Sequence, residues 1–562
     1  MPPGNSGPVM YNAFHFPGRL SLWAALVATG CGYGSAVPDA GTTIGADAGD
    51  ASSDTAALDS AVADVADVAD VGAGDVARLG PHGPGAVFVH LFEWKWTDIA
   101  TECETYLGPM GFAAVQVSPP SEHALIAGRP WWQRYQTVSY SLAKSRSGDA
   151  DEFRAMVARC AAVGVGIYVD AVLNHTTGQP SGTGSNGTAF TKYSYPGLYT
   201  TADFHLPACA IADSDYVNAP DRVRTCELSG LADLATETDH VRDQTSSYLA
   251  ALVTMGVHGF RLDAAKHMYP QDLDAILRLA STRTGINPYY FLEVIDSGGE
   301  AIHATDYLTT GQGAVEAVEI TEFKYTVLAD AFLNANGKTL VDLRALGDPG
   351  GGLLPSDRAV VFVNNHDTQR ASSLYYKDGP YYDLATVFML AWPYGYPSVL
   401  SSFAFDRSTG AGRDQGPPSD AAGNTLPVYP PGVATPSCEA DPLNATQGWL
   451  CEHRRPFVAR LIAFRKQTAG AAVGNYWDNG ANQLAFSRGN KGFVVINREA
   501  AALTRAFATA LPAGDYCDVY QGAPAAGGCS GTRVTVDGAG MASLTVAPAS
   551  AVVIHVGAAA AP

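Results

Sequence analysis

The stretch Gly259-Phe-Arg-Leu-Asp-Ala-Ala-Lys-His267 begins with apolar and charged residues at alternate positions. In a β-strand, Phe260 and Leu262 would point to one face, and Arg261 and Asp263 to the other. Burying an Arg and an Asp on one face costs free energy unless the two are paired or take part in a reaction. The stretch alone therefore fits both a structural ion pair and a catalytic site, and the rest of the chain must decide between them.

Short apolar runs alternate with amphipathic stretches from residue 86 onward. The apolar runs predicted as buried strands are 87–92, 113–117, 166–172, 259–263, 290–295 and 359–363. The stretches predicted as helices are 151–163, 240–255, 273–279, 383–391 and 453–467. This alternation predicts an α/β fold with a parallel sheet, and a closed (β/α)8 TIM barrel over residues 86–473 is the commonest solution at this length.

Polar side chains collect where the predicted strands end. They are Ser118, Asp170, Asn174, His175, Asp263, His267, Glu293, His366 and Asp367. The C-terminal ends of barrel strands form the face on which the active sites of this fold are built. A structural network has no reason to collect on one rim, so this placement favours a catalytic interpretation of Arg261 and Asp263.

Two regions break the strand–helix pattern. Residues 176–235, after the third strand, are rich in Gly, Thr, Tyr, Ser and Asn and are too long for an ordinary barrel loop, so we predict an inserted subdomain. Residues 474–562 alternate in β fashion, with predicted strands at 483–487, 492–497, 533–536 and 542–556. This second pattern predicts a C-terminal antiparallel β-sandwich.

The first 85 residues have no pattern of a folded domain. Residues 1–36 carry Arg19 before a short apolar run, which is typical of an export signal. The run Ala28-Thr-Gly-Cys31 resembles a bacterial lipobox, which would attach a lipid to Cys31 and anchor the protein at the cell surface or outer membrane; plain secretion is the alternative. Residues 37–85 are acidic and rich in Ala and Asp, so we predict a disordered tether.

The net charge limits the possible binding partners, and the cysteine count indicates disulfides. The formal net charge of −20 over 562 residues argues against nucleic acid or an anionic membrane surface, because both select clustered Lys and Arg. Of the nine cysteines, eight remain after Cys31, an even number in an exported chain. The sequence does not fix their pairing, but neighbours in the chain suggest Cys209–Cys226, Cys438–Cys451 and Cys517–Cys529, which leaves Cys103–Cys160.

Three carboxylates, those of Asp263, Glu293 and Asp367, follow three different strands around the same rim. Two carboxylates that flank a glycosidic bond can hydrolyse it, one by attacking the anomeric carbon and the other by protonating the leaving oxygen. A third can hold substrate hydroxyls and help to keep the acid protonated by like-charge repulsion. Arg261 beside Asp263 would keep that nucleophile ionised.

Four segments, in this order, resemble the signature of the α-amylase family of barrel glycosidases, and the animal-type branch most. They are Asp170-Ala-Val-Leu-Asn-His175, the 259–267 stretch, Glu293-Val-Ile-Asp296 and Phe362-Val-Asn-Asn-His-Asp367. Further matches are Val89-His-Leu-Phe-Glu-Trp94, Gln116-Val-Ser-Pro-Pro120 and Arg129-Pro-Trp-Trp132, and the similarity runs from about residue 86 to about residue 556. The resemblance implies an endo-acting, retaining hydrolase of internal α-1,4-glucosidic bonds in starch, glycogen and maltooligosaccharides.

The resemblance also implies roles for individual residues. Asp263 would be the nucleophile, Glu293 the general acid/base and Asp367 the stabiliser of the transition state. The implied substrate contacts are Trp131, Trp132, Tyr135, Gln136, Asp170, His175, Arg261, Lys266, His267, Glu300 and His366. The aromatic members suit the C–H face of a sugar, whereas a single His or Lys on such a rim has an ordinary structural or solvated role as its alternative.

A calcium site is implied in the same way. Its ligands would be the side chains of Asn174 and Asp233 and the carbonyl oxygens of Arg224 and His267. Oxygen ligands of this kind suit a hard cation, which would link the inserted subdomain to the barrel.

Two departures from the family pattern affect the expected behaviour. The animal-type branch often binds chloride through two Arg and one Asn; Arg261 and Asn365 are present, but Ser398 stands at the second Arg position, so we expect no chloride requirement. The segment Asp367-Thr-Gln-Arg-Ala-Ser-Ser373 lacks the family's mobile Gly- and His-containing loop, which leaves the product pattern open. The alternatives to a monomeric hydrolase of starch are a transglycosylase or maltooligosaccharide-forming relative and a catalytically silent starch-binding protein.

Overall fold

The computed structural model describes residues 77–78, 82–310, 318–371 and 373–560. Eight parallel strands close a barrel in which each strand pairs with the next along the chain and the eighth pairs with the first. They are β1 (Phe88–Leu91), β2 (Ala114–Val117), β3 (Gly166–Val172), β4 (Gly259–Asp263), β5 (Tyr289–Leu292), β6 (Glu319–Thr321), β7 (Ala359–Val361) and β8 (Tyr396–Ser401). The predicted (β/α)8 barrel is confirmed.

Strands β6 and β8 were absent from the sequence-based set, for two different reasons. β6 has three residues, and two of them, Glu319 and Thr321, are polar, so no apolar run marks it. β8 contains Pro397, which has no backbone N–H to donate to a ladder and argues against a central strand. Both strands are needed to close the barrel. Without β6, the facing edges of β5 and β7 would be unpaired, and without β8, the facing edges of β7 and β1 would be.

Helices cover the outside of the barrel. The longer ones are α1 (Trp96–Glu102), α2 (Ala150–Ala162), α3 (Asp239–Thr254), α4 (Pro270–Thr284), α5 (Val327–Leu333), α6 (Pro380–Ala391) and α7 (Pro456–Gln467). α2 begins with a capping box, in which Asp149 accepts the N–H groups of Asp151 and Glu152. Within the described ranges, no helix is long and apolar enough to cross a membrane.

Between β3 and α3 the chain leaves the barrel and forms the inserted subdomain. It contains a hairpin of Ser181–Thr183 with Ala189–Thr191 and two short helices, Asp215–Asn218 and Pro220–Thr225. Its apolar side chains Phe190, Tyr195, Tyr199, Phe204 and Leu234 pack in one cluster with Ala124, Val138 and Val241 from outside the insertion. His175–Thr176 pairs antiparallel with Ala232–Asp233, which brings the two ends of the insertion together at the C-terminal end of the barrel.

After α7 the chain forms the antiparallel β domain. One sheet has four strands: Val473–Asp478, Gln483–Arg488, Gly492–Asn497 and Ser550–His555. Three two-stranded ladders complete the described part of the domain: Leu503–Ala508 with Met541–Val546, Gly514–Cys517 with Arg533–Val536, and Pro524–Ala525 with Gly528–Cys529. The predicted strand 542–556 is therefore two strands separated by a turn at Ala549, whose φ is 46°. Leu503–Ala508 was missed because most of its residues are exposed and do not alternate in hydrophobicity.

Four disulfides hold these regions. They join Cys103 to Cys160, Cys209 to Cys226, Cys438 to Cys451 and Cys517 to Cys529, which are the pairs that the sequence suggests. The first links the region of α1 to α2, and the second closes a loop within the inserted subdomain. The predicted export signal, residues 1–36 with Cys31, lies outside the described residues.

The described residues near the end of the predicted tether contact the barrel. Ala77–Arg78 pairs in parallel with Ile286–Asn287, just before β5, and His82 stacks on Tyr396 at 3.5 Å between ring centroids. The predicted tether, residues 37–85, thus includes residues that contact the barrel, while the acidic repeat itself ends earlier in the chain. Residues 37–76 lie outside the described ranges.

Candidate active site

A cavity of about 330 Å³ opens at the C-terminal end of the barrel. Asp263, Glu293 and Asp367 all line it. Asp263 ends β4, while Glu293 follows β5 directly and Asp367 follows β7. Because the strands are parallel, their ends meet at one rim. The three carboxylates predicted from the sequence thus lie in one cavity.

Arg261 lies buried below the floor of this cavity. Its Nη1 donates to Asp170 Oδ1 at 2.6 Å and to Asp263 Oδ1 at 2.8 Å, and its Nη2 forms an ion pair with Glu293. The strand register explains the convergence, since Arg261 lies opposite Asp170 of β3 and opposite Phe291 of β5, two residues before Glu293. One guanidinium therefore joins carboxyl groups from three neighbouring strands.

The environment of Asp263 and Asp367 favours the protonated forms of their carboxyls. Burial raises the pKa of Asp263 well above its usual value; Arg261 opposes this shift, and the charges of Glu293 and Asp170 add to it. Burial, followed by the charge of Glu293, raises the pKa of Asp367 to about 8. Arg261 thus acts in the direction expected of a group that keeps Asp263 ionised, whereas burial and the neighbouring carboxyls act against it. The carboxyl cluster retains a proton near neutral pH.

Tyr135 and His366 connect the carboxyls to the opposite wall. The Tyr135 hydroxyl donates to Asp170 Oδ2 at 2.9 Å and lies 2.8 Å from His366 Nε2. The same His366 nitrogen lies 3.2 Å from Asp367 Oδ2. Burial and the charge of Arg261 hold the pKa of His366 well below its usual value, so its ring is neutral and can both donate and accept a hydrogen bond.

Aromatic and polar side chains form the remaining walls. Trp131, Trp132 and Tyr135 line one side of the cavity. Among the other predicted contacts, His175, Lys266, His267, Glu300 and His366 line it too. Lys266 forms an ion pair with Glu300 and donates to the Ile295 carbonyl at 2.6 Å, and burial lowers its pKa to about 8.

Three predicted substrate contacts do not reach the cavity wall. Gln136 is buried, and its Oε1 accepts from Thr177 Oγ1 at 2.7 Å and from the Gly178 N–H at 2.9 Å, so its side chain braces the entrance to the inserted subdomain. Asp170 and Arg261 lie one layer deeper than the cavity and are engaged with each other. In this structure all three side chains therefore contact neighbouring protein groups, and their predicted role as substrate contacts stays a prediction.

Two of the four predicted calcium ligands, Asn174 and Asp233, meet where the inserted subdomain joins the barrel. The Asn174 amide and the Asp233 carboxylate are buried, and Asn174 Nδ2 lies 3.4 Å from Asp233 Oδ1. Asp233 Oδ2 is 2.7 Å from His205 Nδ1. A buried carboxylate next to a side-chain amide suits a hard cation once the amide turns its oxygen toward the ion, and only one of the four proposed ligands is an acidic side chain. The described residues contain no group of three or more His, Cys, Asp or Glu side chains that could hold a metal ion.

A second, much smaller cavity of about 20 Å³ lies inside the barrel, below the carboxyls. Arg261, Asn365 and Ser398 all line it. Asn365 Oδ1 accepts the N–H groups of Asp367 and Thr368 at 3.1 and 2.7 Å. The three positions discussed for an anion therefore do come together, with a hydroxyl where a second guanidinium would be needed.

Comparison with known proteins places this geometry in a family. Residues 476–557 match the model of the α-amylase C-terminal all-β domain. The chain is 44% identical to pancreatic α-amylase 2a5 of Mus musculus over 498 residues, which cover 84% of this chain and 94% of that protein. It is 43% identical to the pancreatic α-amylase of Sus scrofa over 486 residues, 82% of this chain and 91% of that protein.

The chain belongs to the α-amylase family of glycoside hydrolases. Among solved structures it resembles α-amylase I from Eisenia fetida, with a TM-score of 0.75 and 40% identity over 84% of this chain and 98% of that one. A variant of the same enzyme has been solved in a complex with maltohexaose. Together with four disulfides, the pancreatic relatives indicate that this member of the family is exported.

Sequence reasoning about this α-amylase family member missed one wall of the cavity. Its inserted subdomain contributes Ile211, Asp213, Tyr216, Leu228, Ser229 and Leu231. These residues follow no strand of the barrel, so the argument from strand ends could not reach them. A usable signal was their position beside the Cys209–Cys226 loop, which fixes an insertion close to the rim. Arg370, also on the cavity wall, was quoted in the sequence without a role.

Proposed function

We propose that this protein is an endo-acting α-amylase that hydrolyses internal α-1,4-glucosidic bonds of starch, glycogen and maltooligosaccharides with retention of configuration. The observation that carries the proposal is the contact of one buried guanidinium, that of Arg261, with both Asp263 and Glu293 at the floor of an open cavity. A shared guanidinium keeps the two carboxyls close. Short separations, about 5–5.5 Å, belong to retaining glycosidases, and inverting enzymes need a wider gap for water.

The two carboxyls would divide the reaction between them. Asp263 attacks the anomeric carbon as Glu293 gives its proton to the departing glycosidic oxygen, which leaves a glycosyl ester on Asp263. Glu293, now ionised, takes a proton from water as that water attacks the same carbon and releases Asp263. Two inversions restore the starting configuration. When the proton of the cluster lies on Glu293, Asp367, on the opposite side of the rim, is ionised and stabilises the positive charge that develops on the sugar ring.

The retained proton of the carboxyl cluster supports this division of roles. Hydrolysis needs one protonated acid and one ionised nucleophile at the same pH. Burial and mutual repulsion of Asp170, Asp263, Glu293 and Asp367 keep at least one proton in the cluster, while Arg261 stabilises the remaining negative charge. The cluster therefore holds the proton that Glu293 must donate.

The walls would bind the glucan chain. Trp131 and Trp132 present indole faces to sugar rings, whose C–H surfaces are apolar. Burial lowers the pKa of His175 to about 4 and that of His267 to about 3, so both rings are neutral and can bind hydroxyls as donors or acceptors. Lys266 and Glu300 add a charged pair to the wall beside the inserted subdomain.

Calcium would brace the cleft without taking part in the chemistry. Asn174 and Asp233 would supply side-chain oxygens, and Arg224 and His267 carbonyl oxygens, from both sides of the junction between subdomain and barrel. The ion would offset the buried negative charge of Asp233. Removing calcium with a chelator should lower the melting temperature more than it lowers the kcat of the protein that remains folded.

We also propose that the protein acts as a monomer and needs no chloride. The charge of Arg261 is already met by Asp170, Asp263 and Glu293, and Ser398 brings no second positive charge to the small cavity. An anion there would face net negative charge, which is unfavourable at low dielectric.

The test is hydrolysis of soluble starch, with reducing ends, iodine staining and product lengths followed over time. Endo-action predicts that iodine staining falls while few reducing ends have formed, and that the first products are α-anomers. Products longer than a maltooligosaccharide substrate would indicate glycosyl transfer instead. Binding of starch without release of sugar would indicate a silent binding protein.

A further inference from the structure

The two tryptophans of the cavity wall are held by a segment that lies far away in the sequence. Trp131 Nε1 donates to the Arg413 carbonyl at 3.0 Å, and Trp132 Nε1 donates to Asp414 Oδ1 at 3.2 Å. The acceptors are consecutive residues at the end of a short helix, Gly410–Asp414, in the connection that follows β8. Both indole N–H groups are therefore satisfied by the same turn of chain.

That turn is packed against the tryptophan segment at backbone level. A Cβ atom on Gly416 would lie 2.2 Å from the Arg129 carbonyl oxygen, so the two chains approach as closely as glycine allows. Arg129 also reaches across, donating to the carbonyls of Asp420 and Ala421 at 2.7 and 2.6 Å. The connection after β8 is thus a fixed support for the wall.

The two indoles differ in how firmly they are held. Trp131 is buried, and the Arg370 guanidinium lies 5.1 Å from its ring centroid and donates to the same Arg413 carbonyl at 2.6 Å. Trp132 is half-exposed, and its indole N–H is held by a side chain, that of Asp414, which can be removed by substitution. Unlike that of Trp131, the orientation of the Trp132 ring therefore depends on one side chain, that of Asp414, which a substitution can remove.

We propose that Asp414 is a positioning residue that fixes the ring of Trp132 for stacking on a glucose unit. The inference rests on the proposed function, since it assigns to Trp132 a role in holding the glucan. A free indole can rotate about two side-chain bonds, and ordering it at the moment of binding costs affinity. By accepting the indole N–H, Asp414 orders the ring before the glucan arrives, without touching the sugar.

The decisive experiment is a double-mutant cycle with Asp414→Ala and Trp132→Ala, measured as kcat and KM on maltoheptaose and soluble starch. Loss of one hydrogen bond should raise KM about fivefold in Asp414→Ala and leave kcat unchanged. Asp414→Asn keeps an oxygen acceptor and should remain close to wild type. In the Trp132→Ala background, Asp414→Ala should have no further effect, because its only target has been removed.

Two outcomes would overturn the proposal. An undiminished effect of Asp414→Ala in the Trp132→Ala background would mean that Asp414 acts on the sugar directly. A KM unchanged by Asp414→Ala would mean that Trp132 is held without it. Asp406→Ala is the matched control, because Asp406 lies in the same connection, is exposed and accepts from the N–H of Ser408 at 2.9 Å.

A measurement without substrate separates this proposal from the proposed function. Acrylamide quenching of tryptophan fluorescence should increase in Asp414→Ala relative to wild type, and the increase should vanish in a Trp132→Phe background. Failure of the wild type to release sugar from starch would refute the proposed hydrolase, and the quenching cycle would still decide whether Asp414 orders Trp132. No change in quenching in Asp414→Ala would contradict the positioning role.

Discussion

The two ends of the barrel bury charge in opposite ways. At the N-terminal end, Glu319 accepts from the Tyr289 hydroxyl at 2.8 Å and lies 2.8 Å from His82 Nε2, within a cluster of aromatic rings. At the C-terminal end, the guanidinium of Arg261 faces three carboxyls at the floor of a cavity. In the first arrangement the Glu319 carboxylate has hydrogen-bond partners and is surrounded by protein. The second keeps unfavourable like-charge contacts and stays open to a ligand.

The comparison indicates that the C-terminal end of the barrel is less stable because its charges are arranged for a reaction. A carboxyl whose pKa is raised in the folded state stabilises that state at low pH and loses this contribution as the pH rises through the raised pKa. Asp367, with its pKa raised to about 8, is such a group. The C-terminal end of the barrel should therefore cost folding free energy at neutral pH, while the N-terminal end should add to it.

The largest expected effect is that of Glu293→Gln. Loss of the proton donor should lower kcat on starch by about 10²–10⁴-fold or more. The melting temperature should stay equal or rise, because the substitution removes one of the repelling carboxyls. Differential scanning calorimetry beside the activity assay checks both parts, and a fall in melting temperature would contradict the view that this end is electrostatically unfavourable.

The second prediction concerns the alkaline limb of the pH–rate profile. The reaction needs one proton in the carboxyl cluster, and burial with the charge of Glu293 raises the pKa of Asp367 to about 8. Activity should therefore be retained below that pH and fall as the pH rises through it. A profile of kcat/KM that stays level up to pH values far above 8 would show that the cluster does not hold the catalytic proton.

The third prediction addresses the N-terminal end. Glu319→Ala removes the partner of both His82 and Tyr289 and should lower the free energy of unfolding by about 1–3 kcal/mol, the cost of leaving buried polar groups unpaired. The kcat should not change, because the catalytic groups lie at the other end of the strands. Urea unfolding measures the free energy of unfolding, and the starch assay measures kcat. A loss of kcat in fully folded protein would contradict the view that only the C-terminal end of the barrel serves the reaction.

The smallest effect is expected from Ser398→Arg. A second guanidinium beside Arg261 and Asn365 would add positive charge to the small cavity below the carboxyls. The wild type should show no response to chloride, and the variant should gain a modest, saturable one. Ser398→Lys is the control for charge without the planar guanidinium. Strong activation of the wild type by chloride after exhaustive dialysis would refute the prediction.

The strand-end pattern predicts the C-terminal end well because chemistry and topology coincide there. Asp263, Glu293 and Asp367 each follow an apolar run, and parallel strands bring such positions together. The pattern does not predict how far a side chain lies below the rim, because that depth depends on strand register. Asp170 and Arg261 could therefore not be separated from true cavity residues by sequence.

The same reasoning could not find the parts that local pattern does not mark. Tyr216 reaches the cavity from the inserted subdomain, and Asp414 reaches Trp132 from the connection after β8, 282 residues along the chain. Strand β6 is too short and polar to stand out. In each case long-range packing sets the position, and no local period records it.

The most direct test of the account is to trap the covalent intermediate. Glu293→Gln would be incubated with a maltooligosaccharyl fluoride that carries a second fluorine on the reacting sugar ring. The anomeric fluoride leaves without help from an acid, and the second fluorine slows hydrolysis of the glycosyl ester. The protein would then be digested and analysed by mass spectrometry. The account predicts one glycosyl adduct, on the peptide that contains Asp263. An adduct on Asp367, or release of a β-configured product without any adduct, would contradict it.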